Sequence, residues 1–174
     1  LEVFVPLADS GECWLLTLRN ESGKPRRLSL TLKQTWVFAR FGIHTAEEGI
    51  PYLTTPGREM KTWTERGMVA ARNSDPDLPF PISGIFFSPE EMESCVEDDV
   101  EERKDGRTFT FKICELSRSV DIGAGEEFHA HVFSGADTAE GFLEMMRGKY
   151  SSADVFEKEK ELVLRERGDL EDRI

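Results

Sequence analysis

The chain has 174 residues, of which 39% are hydrophobic, and its 34 acidic and 22 basic side chains leave a formal net charge of −12. That length fits one domain with a sizeable core. The acidic balance argues against nucleic acid and anionic membrane as partners, because both require a basic face. No apolar run approaches the ~18 residues of a membrane span.

In chain order, the first element is a strand-like LEVFVPL at residues 1–7. It opens without Met or preamble, as expected of a piece cut from a longer protein. ADSG at 8–11 is a turn. Cys13 to Arg19 alternates, with Trp14, Leu16 and Leu18 on one face and Cys13, Leu15 and Thr17 on the other. Asn20 to Pro25 reverses the chain, since Gly23 can take positive φ and Pro25 cannot donate to a ladder. Arg27 to Phe38 follows as a long strand, with Leu28, Leu30, Leu32, Gln34 and Trp36 on one face. Residues 12–36 therefore predict a β-hairpin with a loop longer than two residues.

Ala39 to Thr62 is irregular, and Lys61 to Arg72 predicts a strand pair turning at Arg66-Gly67. The prolines of NSDPDLPFP at 73–81 require a loop. Ile82 to Phe87 is a strand. Ser88-Pro89-Glu90-Glu91 has the signature of a helix start, at least for one turn. Asp98 to Asp105 is an acidic run, expected as a wet loop turning at Asp105-Gly106. Thr108 to Leu116 and Phe128 to Phe133 are strands on either side of a turn at 123–126. The period then changes to helical. A capping-box-like DTAE at 137–140 opens a helix over 138–148, and a second runs from Ser151 or Ser152 to about Arg167. Many strands followed by gathered helices predict a mainly β fold, a two-layer antiparallel β-sandwich with a C-terminal helical appendage.

The stretch VFVPLADSGECWLLTLRNESGKPRRLSL, residues 3–30, resembles the N-terminal sandwich domain of glycoside hydrolase family 94. That family was formerly called glycosyltransferase family 36. It includes cellobiose-phosphorylase-type enzymes and cyclic β-1,2-glucan synthase modules. Trp14 to Asn20 and Pro25 to Leu30 carry the match. Met68 to Asn73 (MVAARN), Gly84 to Ser88 (GIFFS) and the Gly125-Glu126-Glu127 turn resemble further family patches. The resemblance implies a supersandwich of the galactose-mutarotase kind, a helical linker and a catalytic (α/α)6 barrel. On that basis residues 1–135 are the sandwich, and 136–174 are a helical appendage or the linker to a barrel for which this chain has no room. Thr35 stands where the family often has Glu before the Trp of the strand, and Glu90 to Arg107 is short for a ligand-facing insert.

Candidate sites are few. Trp14, Trp36 and Trp63 offer flat faces for stacking on a pyranose ring, with core packing as the alternative reading; Trp63, between two threonines, is the first choice. His129 and His131 lie two apart on one strand face beside Glu126 and Glu127, a spacing able to chelate a transition metal or to supply acid–base chemistry. Asp98, Asp99, Glu101 and Glu102 lack the DxDxDG spacing of a Ca²⁺ loop. Cys13, Cys95 and Cys114 show no CxxC spacing and fit a reducing cytoplasm. Asn20-Glu21-Ser22 fits a glycosylation sequon, but the turn explains the Asn. No catalytic residue and no cofactor is assigned.

The expected role is a non-catalytic domain of a carbohydrate-active protein. Its partners would be a barrel domain, an oligosaccharide, or a second copy in a homodimer. A free-standing carbohydrate-binding module and a mutarotase-like epimerase are the alternatives.

Overall fold

A computed structural model describes residues 1–36, 40–41, 53–54, 60–65, 67–73, 82–88, 92–102 and 108–171. The strands are β1 (Glu2–Phe4), β2 (Gly11–Arg19), β3 (Arg26–Trp36), β4 (Arg40–Phe41), β5 (Leu53–Thr54), β6 (Met60–Glu65), β7 (Met68–Asn73), β8 (Ile82–Ser88), β9 (Glu93–Glu102), β10 (Thr108–Ile122) and β11 (Glu127–Asp137). Two helices follow, α1 (Phe142–Lys149) and α2 (Ala153–Glu171). A six-stranded sheet runs β1-β2-β11-β8-β7-β6, a three-stranded sheet runs β3-β10-β9, and β4 pairs with β5. Among the described residues every ladder is antiparallel. The mainly β sandwich with helices at its C-terminal end is as expected.

The large sheet is buried on both faces, which makes three layers. Its inner face meets the small sheet through Val69, Ala71, Ile85, Phe87, Ala130 and Val132 against Cys114 and Leu116, with Leu30, Leu32 and Val96 partly buried beside them. Its outer face, carrying Cys13, Leu15, Met68, Ala70, Phe86 and Phe133, is covered by Phe142, Leu143, Met146, Tyr150 and Phe156 of the helical region. Double burial explains why β2 reads as apolar on both of its alternating faces. Gly84 lets α1 approach, because a Cβ there would sit 2.5 Å from Leu143 Cδ1. Arg147 reaches Glu65 on the β6 side and Lys160 reaches Glu2 on β1, so ion pairs at both edges tie the helices across the sheet.

Residues 12–36 do not form a hairpin. β2 pairs with β1 and β11, whereas β3 pairs with β10 in the other sheet. The chain crosses between layers at 20–25, as it does again between β10 and β11. The two arches lie side by side, and Asn20 joins them. Its buried amide nitrogen donates to the carbonyls of Lys24, Ile122 and Gly123, its N–H donates to Glu126 O, and its own carbonyl accepts from Gly125. Ser22 closes on Asn20 Oδ1 through both its N–H and its hydroxyl. Strand alternation is the same in a hairpin and in an arch, so the error lay in the pairing and not in the elements.

Two further expectations change, and a third, the helix start at 88–91, lies mostly outside the described residues. Asp98 to Glu102 belong to β9, paired with Lys112 to Thr108, so the start of the acidic run is strand. Ser88 ends β8 and β9 begins at Glu93, while the intervening Pro89 to Glu91 lie outside the described residues. Asp137 caps a turn and not a helix: its Oδ1 accepts from the N–H groups of Thr138 and Ala139, and α1 opens only at Phe142, after Gly141 at φ 84°. The β6–β7 turn is as expected, with Gly67 at φ 74°.

Candidate functional site

On β11 the outward positions are Glu127, His129, His131 and Phe133, opposite Arg19, Thr17, Leu15 and Cys13 of β2. His129 is exposed. Its Nε2 lies 3.4 Å from Glu127 Oε2 and its Nδ1 lies 3.3 Å from Thr17 Oγ1. His131 is half-buried, its ring 5.0 Å from that of Phe156 and tilted by 36°. Burial lowers its pKa from the usual 6.5, Glu157 opposes that shift, and His129 adds to it. Glu126 turns away to accept from the Gly123 N–H and so serves the arch. The strand thus brings His129 and Glu127 together, keeps His131 on the same face but packed on Phe156, and turns Glu126 away. Among the described residues no three His, Cys, Asp or Glu converge as a metal cluster.

The tryptophans occupy three different settings. Trp63 on β6, opposite Ala70, is half-buried against the core beneath the helices. Trp14 packs against the core between the sheets, and its buried Nε1 has no acceptor. Trp36 ends β3 opposite Lys112, and its side chain lies outside the described residues, as does the distant His44. Trp14 and Trp63 lie on opposite faces of the large sheet.

The thiols of Cys13 and Cys114 are not poised as nucleophiles. Burial pushes Cys13 up to about 12 and Cys114 up to about 11, against opposing hydrogen bonds with Tyr150 and Gln34. Both stay protonated at neutral pH, and nucleophilic chemistry needs the thiolate.

Two polar groupings carried no signal in the sequence. The first lies where α1 and α2 meet the ADSG turn. Asp9 Oδ2 accepts from Lys149 Nζ and from Tyr150 Oη, each at 2.5 Å, and Lys149 also pairs with Glu159 at 2.8 Å. Burial works against the Lys149 ammonium, but hydrogen bonds to Asp9 and Glu159 outweigh it and raise its pKa. Burial and then the bond to Asp9 raise the Tyr150 phenol. Tyr150 also stacks on Phe133, centroids 4.9 Å apart, and Phe133 stacks on Phe86 at 5.3 Å. This knot closes the helical layer onto the sheet. Its residues come from three separate segments, so only the fold assembles it.

The second is a cleft of about 510 Å³ beside β10, lined by Arg27, Ser29, Met92, Glu93, Ser117, Arg118 and Ser119. It opens where β9 stops, since the last β9–β10 pair is Glu93 with Ser117.

The strand pattern, the arch held by Asn20 and the covered outer sheet can be set against known families. Residues 1–74 match the family model described as glycosyl hydrolase 94, supersandwich domain. The matched segment runs from β1 through β7, so this supersandwich match includes strands of both main sheets and the crossing between them. The resemblance carried by Trp14 to Leu30 is thereby shown. No curated protein matches the chain.

Proposed function

We propose that the chain is a non-catalytic supersandwich domain of a carbohydrate-active protein, with a scaffolding role that shapes a sugar cleft. The observation that carries this reading is the match of residues 1–74 to the glycosyl hydrolase 94 supersandwich. The partner we propose is a catalytic barrel domain of the same protein, with residues 136–174 as the docking side, and an oligosaccharide would be held between them. A cytoplasmic setting agrees with three free cysteines. No helix among the described residues is long and apolar enough to cross a membrane.

Calorimetric titration of the folded chain with cellobiose, laminaribiose, sophorose and longer β-glucans tests this reading. Silence across the panel is expected of a scaffold. Saturable binding that is lost on Trp63→Ala would replace it with a free-standing carbohydrate-binding module.

The contact between His129 and Glu127 favours a second reading, a mutarotase-like epimerase in which this pair moves the proton. Polarimetry on α-glucose and α-galactose decides it. Catalysed mutarotation abolished by His129→Asn would establish the epimerase, and a rate equal to buffer would remove it.

A further inference from the structure

Two layers of the molecule leave something unfinished at the same place, the β1 edge of the large sheet. Among the described residues β1 pairs only with β2, so the backbone groups on its other side have no ladder partner there. Val3 stands opposite Trp14 and faces the small sheet, and Leu1 and Val5 share its alternation. All three are more than half exposed, as is Leu7 beyond Pro6. Leu28 of β3, the strand of the small sheet on this side, is exposed as well.

On the other face α2 runs over this edge and past it. Phe156 packs on His131 of β11, and one turn later Lys160 reaches Glu2 of β1, which lines up with His131 across Leu15. The helix therefore crosses the strands from β11 towards β1. It continues from Lys160 to Glu171, about 16 Å of further helix. Every residue from Leu164 to Gly168 is exposed, as in a helix that has left the sheet behind. A strand added beside β1 would lie about 4.8 Å out, beneath this overhang. The edge thus offers backbone pairing, an apolar row on one face and a helical roof on the other.

We propose that this edge is a homotypic interface, in which β1 of one copy pairs antiparallel with β1 of a second copy about a two-fold axis. Charge selects a second copy as the occupant. Residues 1–5, LEVFV, are β-prone and hold a single charge, Glu2, which Lys160 neutralises at 2.6 Å. Such a segment pairs with its own like, since neither copy brings uncompensated charge to the seam. The overhang, LRERG at 164–168, mixes Arg165 and Arg167 with Glu166. Two overhangs therefore meet without the repulsion that a net charge of −12 sets up elsewhere. Pairing joins the two large sheets into one and lays Leu164 of each copy over the edge strand of the other. α1, with its exposed Met145, sits over β8 through Leu143 and stays clear of the seam, so it remains open to a barrel domain.

Sedimentation equilibrium of the full chain from about ten micromolar to about one millimolar tests the interface, with Val3→Lys, Leu164→Glu and Met145→Glu as variants. A dimer and no larger species is expected, because a two-fold contact closes on itself. Val3→Lys should raise the dimer dissociation constant at least about tenfold and Leu164→Glu a few-fold, while Met145→Glu should leave it unchanged. A monomer at every concentration would overturn the interface. So would open-ended assembly, a dimer indifferent to Val3→Lys, or equal weakening by Met145→Glu. Should Val3→Lys fail to fold, amide hydrogen exchange of the unmodified chain decides. Protection of residues 2–5 that rises with concentration supports the seam, and protection independent of concentration removes it.

Discussion

The side-chain amide of Asn20 shares its protons among three backbone carbonyls, two of which belong to the other arch. Replacing Asn20 with Ala leaves those carbonyls short of a donor in a buried corner, where each unmade bond costs about 1–3 kcal/mol. Urea denaturation should show Asn20→Ala destabilised by about 2–3 kcal/mol. Asn20→Asp should lose no less, because a carboxylate cannot donate. His131 gives a prediction in pH. Burial holds its folded pKa below the unfolded value near 6.5, so the unfolded chain takes up the proton first. Its contribution is therefore complete above about pH 6.5 and is lost as pH falls through the lowered folded value. Urea midpoints at pH 7.5 and pH 5.5 should differ for the native chain and differ less for His131→Phe. Asp137, whose carboxylate is held below 3.8 chiefly by the Ala139 N–H, responds only in stronger acid.

The elements themselves were largely legible in the sequence. Period-two alternation marks β2, β3, β10 and β11, Gly67 marks the β6–β7 turn, and the change to helical spacing marks α2. Partner choice was not legible, because residues 12–36 alternate identically whether β3 folds back on β2 or crosses to another sheet. The same limit hid the sites. His129 and Glu127 share one strand and could be read together, whereas Asp9 meets Lys149 and Tyr150 from 140 and 141 residues away. The cleft beside β10 went unread because nothing local records where β9 begins. At this scale the fit of α1 on β8 is testable. Leu143→Ala should cost about 2–5 kcal/mol as a buried large-to-small change. Gly84→Ala should cost about 1–3 kcal/mol by overpacking against the leucine methyls. In the double variant the new methyl occupies space the leucine vacates, so calorimetric unfolding should show a combined loss smaller than the sum.

In the whole molecule, six strands in one sheet face three in the other, so the small sheet cannot cover the large one to its β1 edge. Leu1, Val3, Val5 and Leu7 are all more than half exposed there, with Leu28 of β3 at 43%. Among the described residues β1 pairs only with β2, and an edge bearing an apolar row favours pairing with another copy, which a net charge of −12 opposes. Sedimentation should therefore show association rising with salt as repulsion is screened, and Val3→Lys with Val5→Lys should reduce it. The paired arches carry a further consequence, for the order in which the chain is made. Among the described residues β3 finds its sheet partner in β10, and β2 finds its second neighbour in β11, 112 residues later at the Thr17–His129 contact. During synthesis the first strands emerge with apolar residues on both faces and must wait for most of the chain before their layers close. Such long-range pairing folds slowly and leaves early strands open to wrong partners. The segment that carries the family signature is thus held open to wrong partners until β10 and β11 are made.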